Sequence, residues 1–98
     1  MKLAVVFRRP ALREFEAAAL RYEAQRRGLG GEFEAEVEAA IQAATELPMS
    51  YPRVLKEVRC ARVRRFPYSV FFLPEAARLV VLSVFHVRRS PSVWQARI

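Results

Sequence analysis

The side chains with the most chemistry to offer crowd the second half of the chain. Arg59, Arg62, Arg64 and Arg65 come first, and His86, Arg88 and Arg89 follow after an apolar interval. A guanidinium stays charged at every physiological pH and presents a planar fork of donors that matches phosphate or carboxylate. Several of them on one surface make a binding site for a polyanion. His86 is the only histidine, and imidazole is the side chain whose ordinary pKa lies near neutrality. Exposed beside arginines, it would be an acid–base group. At a strand end, bonded to backbone, it would be structural, and that is the plainer reading. Each arginine taken singly is a surface charge; their grouping is what suggests contact with phosphate or a partner.

Two strongly apolar runs, Ser69–Leu73 and Leu79–Phe85, lie between the basic clusters. Folded as adjacent antiparallel strands, they bring both clusters to one small sheet, an apolar platform with a cationic rim. Arg64 and Arg65 have opposite strand parity, so one points to the platform and the other to solvent. Tyr68 and Phe71 are of a type that stacks on bases, but strand aromatics are more often core. Trp94 reads as a hydrophobic clasp on the sheet, with an exposed interaction anchor as the alternative.

The charge supports a polyanionic partner, nucleic acid or acidic protein. Net charge is +7, and residues 48–98 alone carry ten bases and two acids, hence +8. Residues 32–47 carry five glutamates and no base. Such a glutamate-rich helix face is usually a solvated surface. Fifteen of the seventeen bases are Arg, and Asp and Asn are absent. That bias also accompanies heat adaptation, so placement counts for more than number.

Composition excludes several classes. The lone cysteine, Cys60, has no partner for an internal disulfide, and with one histidine no His/Cys metal cluster assembles. No cofactor or metal is expected. Cys60 between arginines invites a lowered thiol pKa, but a small apolar strand residue is the simpler reading. The 98 residues, 53% hydrophobic and 28% charged, suit one globular domain over 1–98. No apolar run approaches the ~20 residues that span a bilayer. The run LAVVF is too short for a signal-peptide core and is followed at once by Arg8, Arg9 and Pro10. The expectation is a cytoplasmic protein with no membrane partner.

The elements that must position these groups follow from periodicity. Residues 2–8 read as a strand covered on both faces. Pro10 suits a helix's first turn, and Leu12, Phe15, Ala19 and Tyr22 form one apolar face of a helix to about Arg27. Arg26 and Arg27 fall in its last turn, where cations suit the helix dipole, and Gly28–Gly31 stop it. A second helix runs from about Gly31 to Leu47, with Phe33, Val37, Ala40, Ile41, Ala44 and Leu47 along its stripe, and Pro48 ends it. Residues 49–56 are a connector. Residues 57–65 form a strand whose mixed parity calls for a bulge near Cys60. Strands over 68–73 and 79–85 flank a hairpin loop at 74–78, and Ser90-Pro91 opens a short C-terminal helix. The fold class is α+β: β-α-α-β-β-β, a mainly antiparallel four-stranded sheet with an N-terminal helical hairpin on one face and the other face less covered.

The stretches FRRPALREFEAAALRYEAQRRGLGGEFEAEVEAAI, LPMSYPRV, VRRFPYSVFF and VVLSVFHVRRSP, in that order, resemble the RelE/ParE superfamily of small bacterial toxins. These are the plasmid-stabilisation type found in type II toxin–antitoxin systems. The resemblance spans nearly the whole chain and implies a growth-inhibiting toxin neutralised by a cognate antitoxin, a small acidic protein laying a segment across it. ParE-like members bind DNA gyrase; RelE-like members cut mRNA on the ribosome. For a cleaving member, His86, Arg88 and Arg65 would be the catalytic set. Ser69, however, stands where many members place an Arg, and no Tyr follows the last strand. The resemblance therefore implies gyrase binding first, endoribonuclease activity as the alternative, and a toxin-like fold without target activity third. Arg59, Arg62, Arg64, Arg65, Arg88 and Arg89 are the expected target-binding residues.

Overall fold

The chain lays down one strand, β1 (Ala4–Phe7), and leaves the sheet at once for two helices, α1 (Arg9–Gln25) and α2 (Leu29–Glu46). A single 3-10 turn at Pro48–Ser50 returns it to β2 (Arg53–Leu55), β3 (Val58–Arg62), β4 (Tyr68–Pro74) and β5 (Arg78–His86). A short helix, α3 (Ser92–Gln95), follows. The computed structural model describes residues 2–98. The class is α+β, but the sheet has five strands rather than four, in the order β1-β5-β4-β3-β2. It is mixed, because β1 lies parallel to β5, from Ala4 opposite Arg78 to Phe7 opposite Val81. A strand followed by a long helical crossover is free to pair in parallel, whereas hairpin-linked strands are not. The extra strand, β2, falls inside the stretch read as connector. Three residues behind Pro52 carry too little alternation to announce a strand.

β1 is an edge strand with one open face. Val5 and Phe7 pack toward the helices, while Val6 stays 36% exposed. The expectation that both faces of β1 are covered is thus corrected. β5 is the strand buried on both faces, from Leu79 to Phe85. Leu79, Val81 and Val84 belong to the helix-side core, and Val80, Leu82 and Phe85 to a second cluster on the opposite face. The odd-to-even switch is a bulge. Phe72 pairs with Val81 but Phe71 pairs with Ser83, so β5 advances two residues where β4 advances one. The β3–β4 register runs evenly from Arg59–Phe72 to Arg62–Ser69, and the register shift near Cys60 lies instead in β2, between Arg53 and Leu55 opposite Arg59 and Val58. β3 has apolar residues of both parities for a simpler reason. Ala61 packs on the helix side and Val58 on the other, and both faces are covered.

The helix-side core is an aromatic cluster. Phe33 of α2 packs against Tyr22 of α1, Phe66 and Tyr68, with centroids 4.9–5.2 Å away. Tyr68 is core, as the plainer reading holds. On the opposite face Trp94 is 3% exposed and stacks on Phe71 at 4.1 Å, as a clasp. α3 begins at Ser92, two residues beyond the expected Ser90 cap.

The helical joint is tighter than Gly28–Gly31 suggests. Only Gly28 lies outside a helix, at φ 89°, a conformation open chiefly to glycine. α1 ends at Gln25, so Arg26 is its extended C-cap and not part of the last turn; its guanidinium turns to Glu32 instead. The Glu23 carboxylate accepts from the N–H groups of Gly28 (2.9 Å) and Gly30 (3.0 Å), serving free amides at the start of α2. Gly30 lets the helices touch: a Cβ there would sit 2.6 Å from the Ala19 carbonyl oxygen. Among the described residues, no helix is long and apolar enough to cross a membrane.

Candidate functional site

β1 covers β5 only as far as Val81, where the Val81 carbonyl accepts from the Arg8 N–H. Beyond that point the edge of β5 is open, at the bulge. Two side chains close it. Glu14 of α1 accepts from Ser83 Oγ (2.8 Å) and the Val84 N–H (3.2 Å). Arg97, past α3, donates to the Leu82 carbonyl (3.1 Å) and to both oxygens of Glu14 (2.9 Å each). A bulged edge with unsatisfied amide groups is costly when buried. Here an ion pair supplies the partners and ties the C-terminal segment to α1.

The expected site arginines disperse from this frame. Arg59 points to the helix side, where it donates to the carbonyls of Tyr51 (2.6 Å) and Met49 (3.3 Å) and holds the 3-10 turn against the sheet. Arg65, at φ 71°, reaches α2, with Glu32 at 2.7 Å and Glu36 at 3.8 Å, and its guanidinium covers Phe66 at 5.4 Å. The two arginines are therefore taken up by the fold's own contacts, carbonyls for Arg59 and carboxylates for Arg65, instead of one cationic rim. Arg62 lies opposite Ser69 on the sheet face away from the helices, and Arg64 follows, exposed. Arg88 is exposed in the turn after β5. Arg89 lies over the Phe85 ring at 5.0 Å and 3.4 Å from Glu14. His86 is opposite Tyr68, on the helix side, and its Nδ1 accepts from the Arg88 N–H at 3.1 Å. His86 and Arg89 line one cleft against α1; Arg65 and Arg88 do not. Burial pushes the Cys60 thiol up, against the weaker effects of a Ser69 hydrogen bond and the Arg62 charge, and so away from reactivity.

The sheet face away from the helices is only partly sealed. It carries two grooves, one of them lined by Trp94. One, of about 280 Å³, runs past Val54, Phe71, Phe85, Val87 and Pro91, with Arg89 on its wall. The other, of about 310 Å³, is floored by Val58, Leu73 and Leu82 and bordered by Arg8, Lys56 and Arg97, with Glu57 the one acid beside them. Val54 and Val87 are among the large hydrophobic residues left exposed. Apolar floors between cationic borders suit an amphipathic acidic segment.

Sequence reading missed Glu14, Arg97, Arg13 and Arg21. Arg13, Ala17 and Arg21 do recur at helical spacing on α1. Nothing in the sequence links that row to His86 or to the bulge.

Neither a protein-family model nor a curated protein matches the sequence. Among solved structures, a chain described as "Chromosomal ParDE TA system from P. aeruginosa" is similar, with a TM-score of 0.77 at 14% sequence identity. The match covers 89% of this chain and 98% of that one. At that identity the likeness is one of fold, and it runs through the helical hairpin and sheet alike.

Proposed function

We propose that the chain is the toxin component of a type II toxin–antitoxin system. It acts by binding an essential macromolecule, DNA gyrase by ParE-like precedent, and a small acidic antitoxin neutralises it. The fold shared with a chain of a ParDE system is the observation that carries this reading. The two grooves on the sheet face away from the helices support it as the antitoxin's seat, with Arg89, Arg8 and Lys56 placed to meet acidic side chains. Arg62, Arg64 and Arg88 remain exposed and are the arginines available to the target. Binding is favoured over the alternative, ribosome-dependent mRNA cleavage, by one arrangement. Arg65 is engaged on α2 while His86 faces α1, so the three groups a nuclease would combine share no cleft.

The test uses the purified chain in parallel supercoiling and translation assays. Loss of gyrase supercoiling with intact mRNA is the expected result. Fragmented mRNA, abolished by His86→Ala or Arg88→Ala, would replace this reading with the nuclease. Normal supercoiling and normal translation would leave a toxin-like fold without target activity.

A further inference from the structure

A separate cleft lies between α1 and the end of β5, on the helix side of the sheet. It holds about 230 Å³. Arg13 and Arg21 stand on the α1 wall, Arg89 on the opposite wall, and Tyr68 and His86 on the floor. Among the described residues, Glu14 is the only carboxylate lining it. The balance of donors and acceptors is lopsided. Glu14 Oε1 already accepts from Ser83, Val84 and Arg97, and Oε2 from Arg97 and, at 3.4 Å, from Arg89. Its single charge is shared by Arg97 and Arg89, which leaves Arg13 and Arg21 without an ion-pair partner among the described residues. Tyr68 Oη accepts from Arg21 Nη2 at 3.2 Å, and among the described residues its own hydrogen finds no acceptor. Because His86 Nδ1 accepts from the Arg88 N–H, the neutral ring carries its hydrogen on Nε2, a further donor.

We infer that this cleft binds a phosphate oxyanion. The occupant must be rich in acceptors and poor in donors, because every free polar group around it donates. It must also be negative, to meet Arg13 and Arg21. A planar carboxylate satisfies one guanidinium fork; a tetrahedral phosphate accepts from both walls and the floor together. Its source is a phosphate ester, either of a free nucleotide or of a nucleic-acid backbone. The inference stands on the cleft alone and does not rest on the toxin reading.

The experiment titrates the full-length, isotopically labelled chain with inorganic phosphate and follows the arginine Nε–H and His86 signals by NMR. Phosphate moves the signals of Arg21, Arg89 and His86, and acetate at equal ionic strength does not. Arg21→Gln and Tyr68→Phe each weaken phosphate binding, by roughly tenfold for the charged partner. Arg27→Gln, outside the cleft, binds as the parent does. Tyr68→Phe keeps the ring in the core, so it serves if Arg21→Gln perturbs the fold. Displacement of phosphate by a short single-stranded oligonucleotide assigns a nucleic-acid source, and displacement by AMP alone a nucleotide; either supports the site. Equal response to acetate overturns it and points to an acidic peptide. Equal weakening by Arg27→Gln overturns it as net charge only.

Discussion

Glu14 does more structural work than any other single charged residue. Its side chain is 12% exposed and accepts from Ser83 Oγ, the Val84 N–H and two arginines. Removing one member of such a pair strands the other, so Glu14→Ala is expected to destabilise by about 3 kcal/mol, seen as a lower urea midpoint. A double-mutant cycle with Arg97→Met should return a coupling of about 1–3 kcal/mol. A coupling near zero would mean that Arg97 does not close the edge of β5. A second charged residue, Glu32, gives a pH dependence. Hydrogen bonds from Arg65 and then Arg26 hold its carboxyl below the ordinary value. A depressed carboxylate contributes stability that is full above its unfolded pKa and is lost as pH falls through the folded one. The parent should therefore lose stability from ~pH 4.5 downward, and Arg65→Met should lose less over that range. An unchanged acid slope in the variant would refute the latch between Arg65 and α2.

At the scale of elements, the helical hairpin turns on glycines of opposite kinds. Gly28 sits at φ 89°, so Gly28→Ala should cost about 1–2 kcal/mol in backbone strain. At Gly30 a Cβ would meet the Ala19 carbonyl oxygen at 2.6 Å, and alanine there forces α1 and α2 apart. At Gly31 nothing lies within 4 Å of that Cβ, and the position is helical. Gly31→Ala should therefore stabilise, by up to ~1 kcal/mol. Thermal melts of the three variants check the order: only the last should exceed the parent. The hairpin itself was legible from the periodicity of both helices and from Pro48. Which of the clustered glycines makes the joint was not, because a left-handed residue and a close helix contact leave the same letter in the sequence.

Across the whole molecule, β5 is an interior strand between β1 and β4 and is buried on both faces, while β2 is a three-residue edge. Backbone amides of β5 between Val80 and Phe85 should thus exchange slowest, at the global unfolding rate, and those of β2 fastest among the strands. Hydrogen exchange read residue by residue tests this, and early exchange in β5 would contradict its place as the organising strand. The surplus of positive charge is also a property of the whole. Three of its arginines, Arg13, Arg21 and Arg89, line the cleft where α1 meets the end of β5. Arg65 and Arg59 are absorbed by α2 and the 3-10 turn, and cations from the first half of the chain take their place.

What the chain's letters settle is local. Helical and strand periods, Pro48, the apolar runs at 69–73 and 79–85 and the run of glutamates dictate the elements and the α+β class, because each depends on neighbours a few residues away. Mixed parity in β5 could likewise have been read as a bulge, though β3 drew that reading. Tertiary structure alone decides the parallel pairing of β1 with β5, the strand at 53–55, and the meeting of Glu14 with Ser83 and Arg97. Those contacts join residues far apart in the chain. A guanidinium carries the same charge whether it meets solvent, a carbonyl or a carboxylate, so only its folded surroundings say which.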